Sequence, residues 1–277
     1  QGYITNEEEY NAAVAKVEAG LTFTKGNTSS NYSYSYHTQA AVEQVIEQVM
    51  EEKGVSREFA EKYVYSSGLK IYSTQDTTIQ AKIEEETKKS KYIVNGKEKD
   101  KTTGELKNEH TQAAFVLIDH STGNVVGCSG GLGEREGSTL NRATQSKRQP
   151  GSSIKPIANI APALQEKIIT AATVYDDVWT DFNGYKPRDE GGNFKNRLLN
   201  IREIIAYSQN VPQVKIMREL TPGKSIDYLR NFGITTLYKS GENEDKNDET
   251  LALAIGGISD GISPLEMAAA YAAIANN

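Results

Sequence analysis

The strongest constraint on this chain is a hairpin written into residues 112–128. The apolar run Ala113-Ala114-Phe115-Val116-Leu117-Ile118 ends at Asp119, turns on His120-Ser121-Thr122-Gly123 and returns from Asn124 through Val125-Val126 to Cys128. Two apolar runs joined by a short polar turn predict antiparallel strands of a buried sheet. From Ser152 onward the period changes, and residues 152–165, 201–207, 213–220, 225–232 and 264–275 read as helices. Two strands followed by a run of helices predict an α+β fold, an antiparallel sheet flanked by helices. The sheet is expected to be incomplete at the C-terminal side.

Upstream the signals are weaker. Residues 5–19 read as a surface helix with Thr5 as N-cap, Glu8 answering it in a capping box, and Gly20 as the stop. Residues 21–36, rich in Ser, Thr, Asn and Tyr, read as an irregular connector. Residues 38–53 are amphipathic, with Ala41, Val45, Ile46 and Val49 near a helical period and Gly54 closing the helix. Residues 69–72 have strand character, and Asp76 is placed to cap a helix through Ile79, Ile83 and Thr87. Residues 88–110 read as a solvated excursion that reverses near Asn95-Gly96, and glycine-rich 127–133 as a loop leaving the sheet.

Composition excludes several classes. A net charge of −6 offers no basic surface for nucleic acid. The longest apolar stretches, 251–255 and 268–275, fall short of the roughly 20 residues a spanning helix needs. Cys128 is the single cysteine, and His37, His110 and His120 are scattered. The histidines are expected at the surface or in turns, and neither metal nor cofactor is predicted.

Two short patterns carry chemistry. In Arg148-Gln149-Pro150-Gly151-Ser152-Ser153-Ile154-Lys155-Pro156, Pro150 and Gly151 break what precedes, so Ser152 falls near a helix start. Ser and Lys three apart share a helix face, and a lysine of lowered pKa can take a serine proton. The helix N-terminus also supplies backbone N–H groups, so the N–H of Ser152 is a candidate oxyanion donor. Tyr207-Ser208-Gln209-Asn210 places a hydroxyl and an amide two apart in a turn, where both can enter one cleft. Singly, each pattern is also what helix-capping residues beside a surface lysine look like. Ser67-Gly68-Leu69-Lys70 repeats the first spacing, but in an expected strand, where its ends point to opposite faces. Ser29-Ser30-Asn31 repeats the second within the connector.

Taken in order, Ser152-x-x-Lys155 followed by Ser208-x-Asn210 resembles the first two active-site motifs of penicillin-recognising serine transpeptidases and serine β-lactamases. The surroundings are similar to those of bifunctional, class A penicillin-binding proteins. They comprise residues 68–76, residues 141–156, Ser208-Gln209-Asn210-Val211-Pro212, Gly256-Gly257 and residues 261–272. The resemblance implies that Ser152 attacks the penultimate D-alanine carbonyl of a peptidoglycan stem peptide and that Lys155 accepts its proton. It implies that Ser208 relays a proton to the leaving D-alanine, that Asn210 binds the peptide amide, and that β-lactams acylate Ser152. It also implies an extracytoplasmic place on a bacterial membrane, anchored by a segment outside these residues.

Two family features are not found. No Lys-Thr/Ser-Gly follows residues 261–272, and no glycosyltransferase domain precedes. The expected organisation is a linker region over residues 1–64 and a transpeptidase domain over 65–277, completed by further residues of its own polypeptide. This stretch alone is expected to acylate poorly. Residues 185–200 are expected to border the cleft. The competing readings are a β-lactam-binding sensor or structural module on the same fold, and a serine β-lactamase.

Overall fold

The computed structural model describes residues 6–19, 34–99, 103–135 and 139–276. The chain divides into two units, Gln1–Ser33 and Tyr34–Asn277. In the first, α1 (Glu7–Glu18) is a helix whose Glu8 N–H is accepted by Asn6 Oδ1 at 2.9 Å. The expected cap Thr5, the stop Gly20 and connector residues 21–33 lie outside the described residues.

In the second unit, α2 (Tyr36–Lys53) begins at Ser35, whose side chain accepts from Thr38 N, and ends at Gly54 with φ +60°. Its buried Ile46 and Val49 pack against Ala60 and Val64 of α3 (Arg57–Ser66), a helix the sequence reading passed over. The signals for α3 are Ser56, whose Oγ accepts from Phe59 N, and an apolar pair four residues apart. Residues 69–72 are not a strand. Leu69, Ile71 and Tyr72 are exposed, and the backbone joins β4 (Asn124–Ser129) only beyond them. There Thr74 Oγ1 donates to Val125 O and Asp76 N to Val126 O. Asp76 then caps α4 (Thr77–Thr87) as expected, accepting from Thr78 N and Ile79 N.

A hairpin of β1 (Asn95–Lys99) and β2 (Leu106–His110) follows. Asn95 pairs with His110, so Asn95-Gly96 begins a strand and is not the turn. The chain reverses between Lys99 and Leu106, where Gly104 takes φ +75°. The hairpin anticipated at residues 112–128 is β3 (Phe115–Asp119) against β4, with a bulge between Leu117 and Ile118. Helix α4 lies across β4. A side chain on Gly127 would meet Ile83 Cδ1 at 2.7 Å, while the Gln80 amide bonds both Cys128 N and Cys128 O. Residues 127–129 therefore belong to the strand, and the glycine-rich loop starts at Gly130. The burial is uneven. Gly127, Cys128 and Ser129 are enclosed, whereas Leu117 of β3 is exposed. His37 corrects the surface assignment of the histidines, because it is buried with Nε2 2.7 Å from Val125 O.

The main core is helical. Ile154, Ile157, Val211, Val214, Met217, Ile226, Leu229 and Leu253 form its centre. They bring together the stretch after Gly151, α7 (Asn210–Leu220), α8 (Pro222–Asn231) and a tight turn over Leu251–Ile255. Helix α7 starts three residues earlier than its periodicity predicts and is buried along its length. A third strand pair, β5 (Val174–Asp176) with β6 (Leu198–Asn200), leads into α6 (Ile201–Ala206), and α9 (Pro264–Asn276) packs on β3. Among the described residues the sheets are three separate two-stranded pairs.

Candidate active site

The segment carrying Ser152 is helical in three pitches. Gly151–Ile154 is a tight 3₁₀ turn, Pro156–Ile160 a wide π turn, and α5 (Ala161–Gln165) a single α turn. Ile154 and Ile157 are fully buried on either side of Lys155, so the core anchors the segment around that lysine. Ser152 itself is exposed at the first turn.

A second stretch braces this segment through the backbone. Ile258 N donates to Gln149 Oε1 at 3.1 Å and Gln149 Nε2 returns a bond to Ile258 O. Arg148 and Ile262 exchange backbone hydrogen bonds at 3.1 and 2.8 Å. Gly256, at φ +88°, lies directly on Gly151, and a methyl group added there would stand 2.6 Å from Gly151 N. Only glycine tolerates both that φ and that approach. From α9, Tyr271 Oη donates to Ser153 O at 2.6 Å.

Lys155 points inward and is almost fully buried, at 3% exposure. Its Nζ donates to Ser208 O at 2.7 Å, Ser208 Oγ at 3.1 Å and Asn210 Oδ1 at 2.5 Å. Burial pushes the ammonium down to about 8, although the Asp189 carboxyl nearby pulls the other way. Ser208 holds φ +51°, in the left-handed region that a serine rarely enters, between the end of α6 and the first residue of α7. That conformation turns both its carbonyl and its hydroxyl to the same amine. Asn200 and Glu203 form a reciprocal capping box that sets the start of α6 and so the position of Ser208.

Three of the four residues singled out from the sequence thus meet in one cluster. Ser152 stands three residues before Lys155, and among the described residues no hydrogen bond joins its hydroxyl to Lys155 Nζ. The Ser67/Lys70 pair is not assembled. Ser67 closes α3 with Oγ bonded to Tyr63 O, and Lys70 is exposed. Ser29-Ser30-Asn31 lies outside the described residues.

Residues 185–200 do reach the cluster. Asn210 Nδ2 donates to Arg188 O at 2.6 Å, and Asn210 N donates to Asp189 Oδ1. Asp189 was not anticipated, since nothing local in Arg188-Asp189-Glu190 marks it apart from other loop acids. Gln149 stands in the passage already quoted, but its bonds to Ile258, 109 residues away, leave no local signal. Among the described residues, no group of three His, Cys, Asp or Glu side chains is placed to hold a metal ion. What the cluster can do is hold a buried amine of lowered basicity beside a hydroxyl and an amide, the equipment for moving a proton.

Residues 113–277 match the family described as penicillin binding protein transpeptidase domain. Penicillin-binding protein 1A of Clostridium tetani is 31% identical over 262 residues, covering 89% of this chain and 32% of that protein. Penicillin-binding protein 1A/1B of Bacillus subtilis is 31% identical over 283 residues, covering all of this chain and 27% of that protein. This chain therefore spans about a third of the length of such relatives. In three dimensions it resembles the penicillin-binding protein PonA1 from Mycobacterium tuberculosis, with a TM-score of 0.64 at 23% identity over 86% of this chain and 57% of that one.

Proposed function

This chain belongs to the penicillin-binding protein transpeptidase family, and from that premise we propose that it is the acyl-transfer part of a serine D,D-transpeptidase that cross-links peptidoglycan stem peptides. The observation that carries this reading is the three-way contact of Lys155 Nζ with Ser208 O, Ser208 Oγ and Asn210 Oδ1. It supports Lys155 as the base for Ser152, three residues away on the same helical stretch.

In this reading Ser152 Oγ attacks the carbonyl carbon of the penultimate D-alanine, and its proton passes to Lys155 Nζ. The C–N bond breaks, and the departing D-alanine amine takes a proton by way of Ser208. Asn210 holds the donor peptide amide. The amine of a second stem peptide then attacks the ester, which releases Ser152 and forms the cross-link. A β-lactam enters by the first step and stays as an ester on Ser152. Residues 65–277 make the transpeptidase domain and residues 1–64 the stretch leading into it. The substrate places the protein outside the cytoplasmic membrane. Among the described residues no helix is long and apolar enough to cross one.

The test is intact-protein mass of the full-length protein before and after benzylpenicillin, beside Ser152→Ala. The expected result is a single penicilloyl adduct that the variant lacks. An adduct that persists in Ser152→Ala rejects Ser152 as the nucleophile. Rapid loss of the wild-type adduct points to a β-lactamase. A stable adduct without cross-linking of stem peptides points to a sensor.

A further inference from the structure

Two amide side chains are buried in the helical core, and the chemistry above uses neither. Asn159, in the wide turn Pro156–Ile160, and Gln213, on α7, are both fully buried. Asn159 follows Lys155 by four residues, and Gln213 follows Asn210 by three. Each therefore belongs to a segment that carries part of the Lys155 cluster. Asn159 Nδ2 donates to Gln213 Oε1 at 3.0 Å and to Ala254 O at 2.8 Å. Ala254 lies in the tight turn Leu251–Ile255, which ends at Gly256, the residue seated on Gly151. One amide group thus joins the three elements that shape the site. From α8, Ser225 Oγ donates to the neighbouring Ala158 O at 2.7 Å, so the wide turn is held on a second side.

Stability does not account for the pair. Asn159 Oδ1 and Gln213 Nε2 are buried with no hydrogen-bond partner among the described residues. Apolar side chains of the same size would remove both orphaned atoms along with the bond, an exchange that is near neutral or favourable in a core. What apolar contacts lack is direction. Ile154, Ile157, Val211 and Val214 pack the Ser152 segment against α7, but burial alone favours no particular offset between them. A bond between amides does, because it weakens steeply with distance and angle. We propose that the Asn159–Gln213 pair sets the offset between the Ser152 segment and α7 and so positions Lys155 on Ser208 and Asn210, a role that rests on the transpeptidase reading of that cluster. Asn210 is the first residue of α7 and Ser208 stands two before it, so a slide of α7 carries both relative to Lys155 Nζ. Both amides are positioning residues, acting through the segments that bear them.

The experiment uses the full-length protein with Gln213→Met, which conserves volume and leaves the Asn159 bond to Ala254 O in place while removing the bond between the two segments. The variant should unfold at the same denaturant concentration as wild type or a higher one, because the orphaned Gln213 Nε2 goes with the bond. Its maximal rate of acylation by a fluorescent penicillin should nonetheless fall roughly 10- to 100-fold. The penicillin concentration at half-maximal rate should stay nearly unchanged, since the loss is in the placing of the base and not in ligand contacts. By NMR of isotope-labelled lysine, the Lys155 ε-carbon resonance, assigned by its absence in Lys155→Arg, should move in Gln213→Met. A variant as reactive as wild type overturns the proposal. So does one that fails to fold, or whose acylation falls only in step with lost stability, because the pair is then core packing. A wild-type protein that takes no penicillin rejects the functional reading, while the Lys155 resonance still decides the pair: moved, it supports the positioning of that lysine, and unmoved, it overturns it.

Discussion

At the scale of single residues, Lys155 sets the expected pH behaviour. Its ammonium is pushed from 10.5 to about 8 by burial. If it is the base, acylation should climb with pH to a midpoint near 8, because only the neutral amine can take the Ser152 proton. Stopped-flow acylation across pH 6 to 10 checks this. Lys155→Arg, which stays protonated, should flatten the profile and slow the reaction by roughly 10²- to 10⁴-fold. The stability sign runs the same way. The folded state binds fewer protons than the unfolded one between about 8 and 10.5, so stability should rise with pH across that window. Lys155, Ser208 and Asn210 were legible in the sequence because each stands in a motif of short, fixed spacing, Ser152-x-x-Lys155 or Ser208-x-Asn210, although the two motifs meet across 53 and 55 residues. Asp189 was not, since it is an ordinary loop acid until folding buries it and brings its carboxyl to Asn210 N. His37 was misjudged for a similar reason, as its partner is a strand carbonyl 88 residues away.

At the scale of elements, the Ser152 segment takes its shape from a neighbour as much as from its own sequence. Gly256→Ala puts a methyl group against the Gly151 backbone at a left-handed φ, which should cost roughly 2–4 kcal/mol from backbone strain and overpacking together. Chemical denaturation should show that loss, and acylation should drop with it even where the protein is still folded. A variant as stable and as reactive as wild type would mean that the contact is slack. Element prediction did well where capping and period agreed, as at Asp76 for α4 and Gly54 for α2. It failed at residues 69–72, where strand-forming side chains have no ladder to join, and at Asn95-Gly96, a turn dipeptide used inside a strand. The change from 3₁₀ to π pitch around Lys155 carries no sequence period of its own, so only the helical character of 152–165 could be read.

At the scale of the whole molecule, the single thiol reports on folding. Cys128 is 2% exposed beneath α4, and burial pushes its thiol up to about 11. It should resist a disulfide reagent at pH 8 in the native protein and react at the rate of unfolding as denaturant is added. Prompt native-state labelling would show that α4 lifts from β4 without global unfolding. The α+β class was legible at this scale because one hairpin and a run of helices suffice to define it. The separation of the described strands into three pairs was not, since pairing between distant residues leaves no local mark. The brace on the Ser152 segment has a further consequence, in time. Gln149 and its partner Ile258 are 109 residues apart. A ribosome adding 5–20 residues per second makes Ser152 roughly 5 to 20 s before the stretch that shapes its surroundings. During synthesis the serine is thus an ordinary hydroxyl on an unbraced chain, and the nucleophilic role proposed for it can begin only after its distant partner has been made.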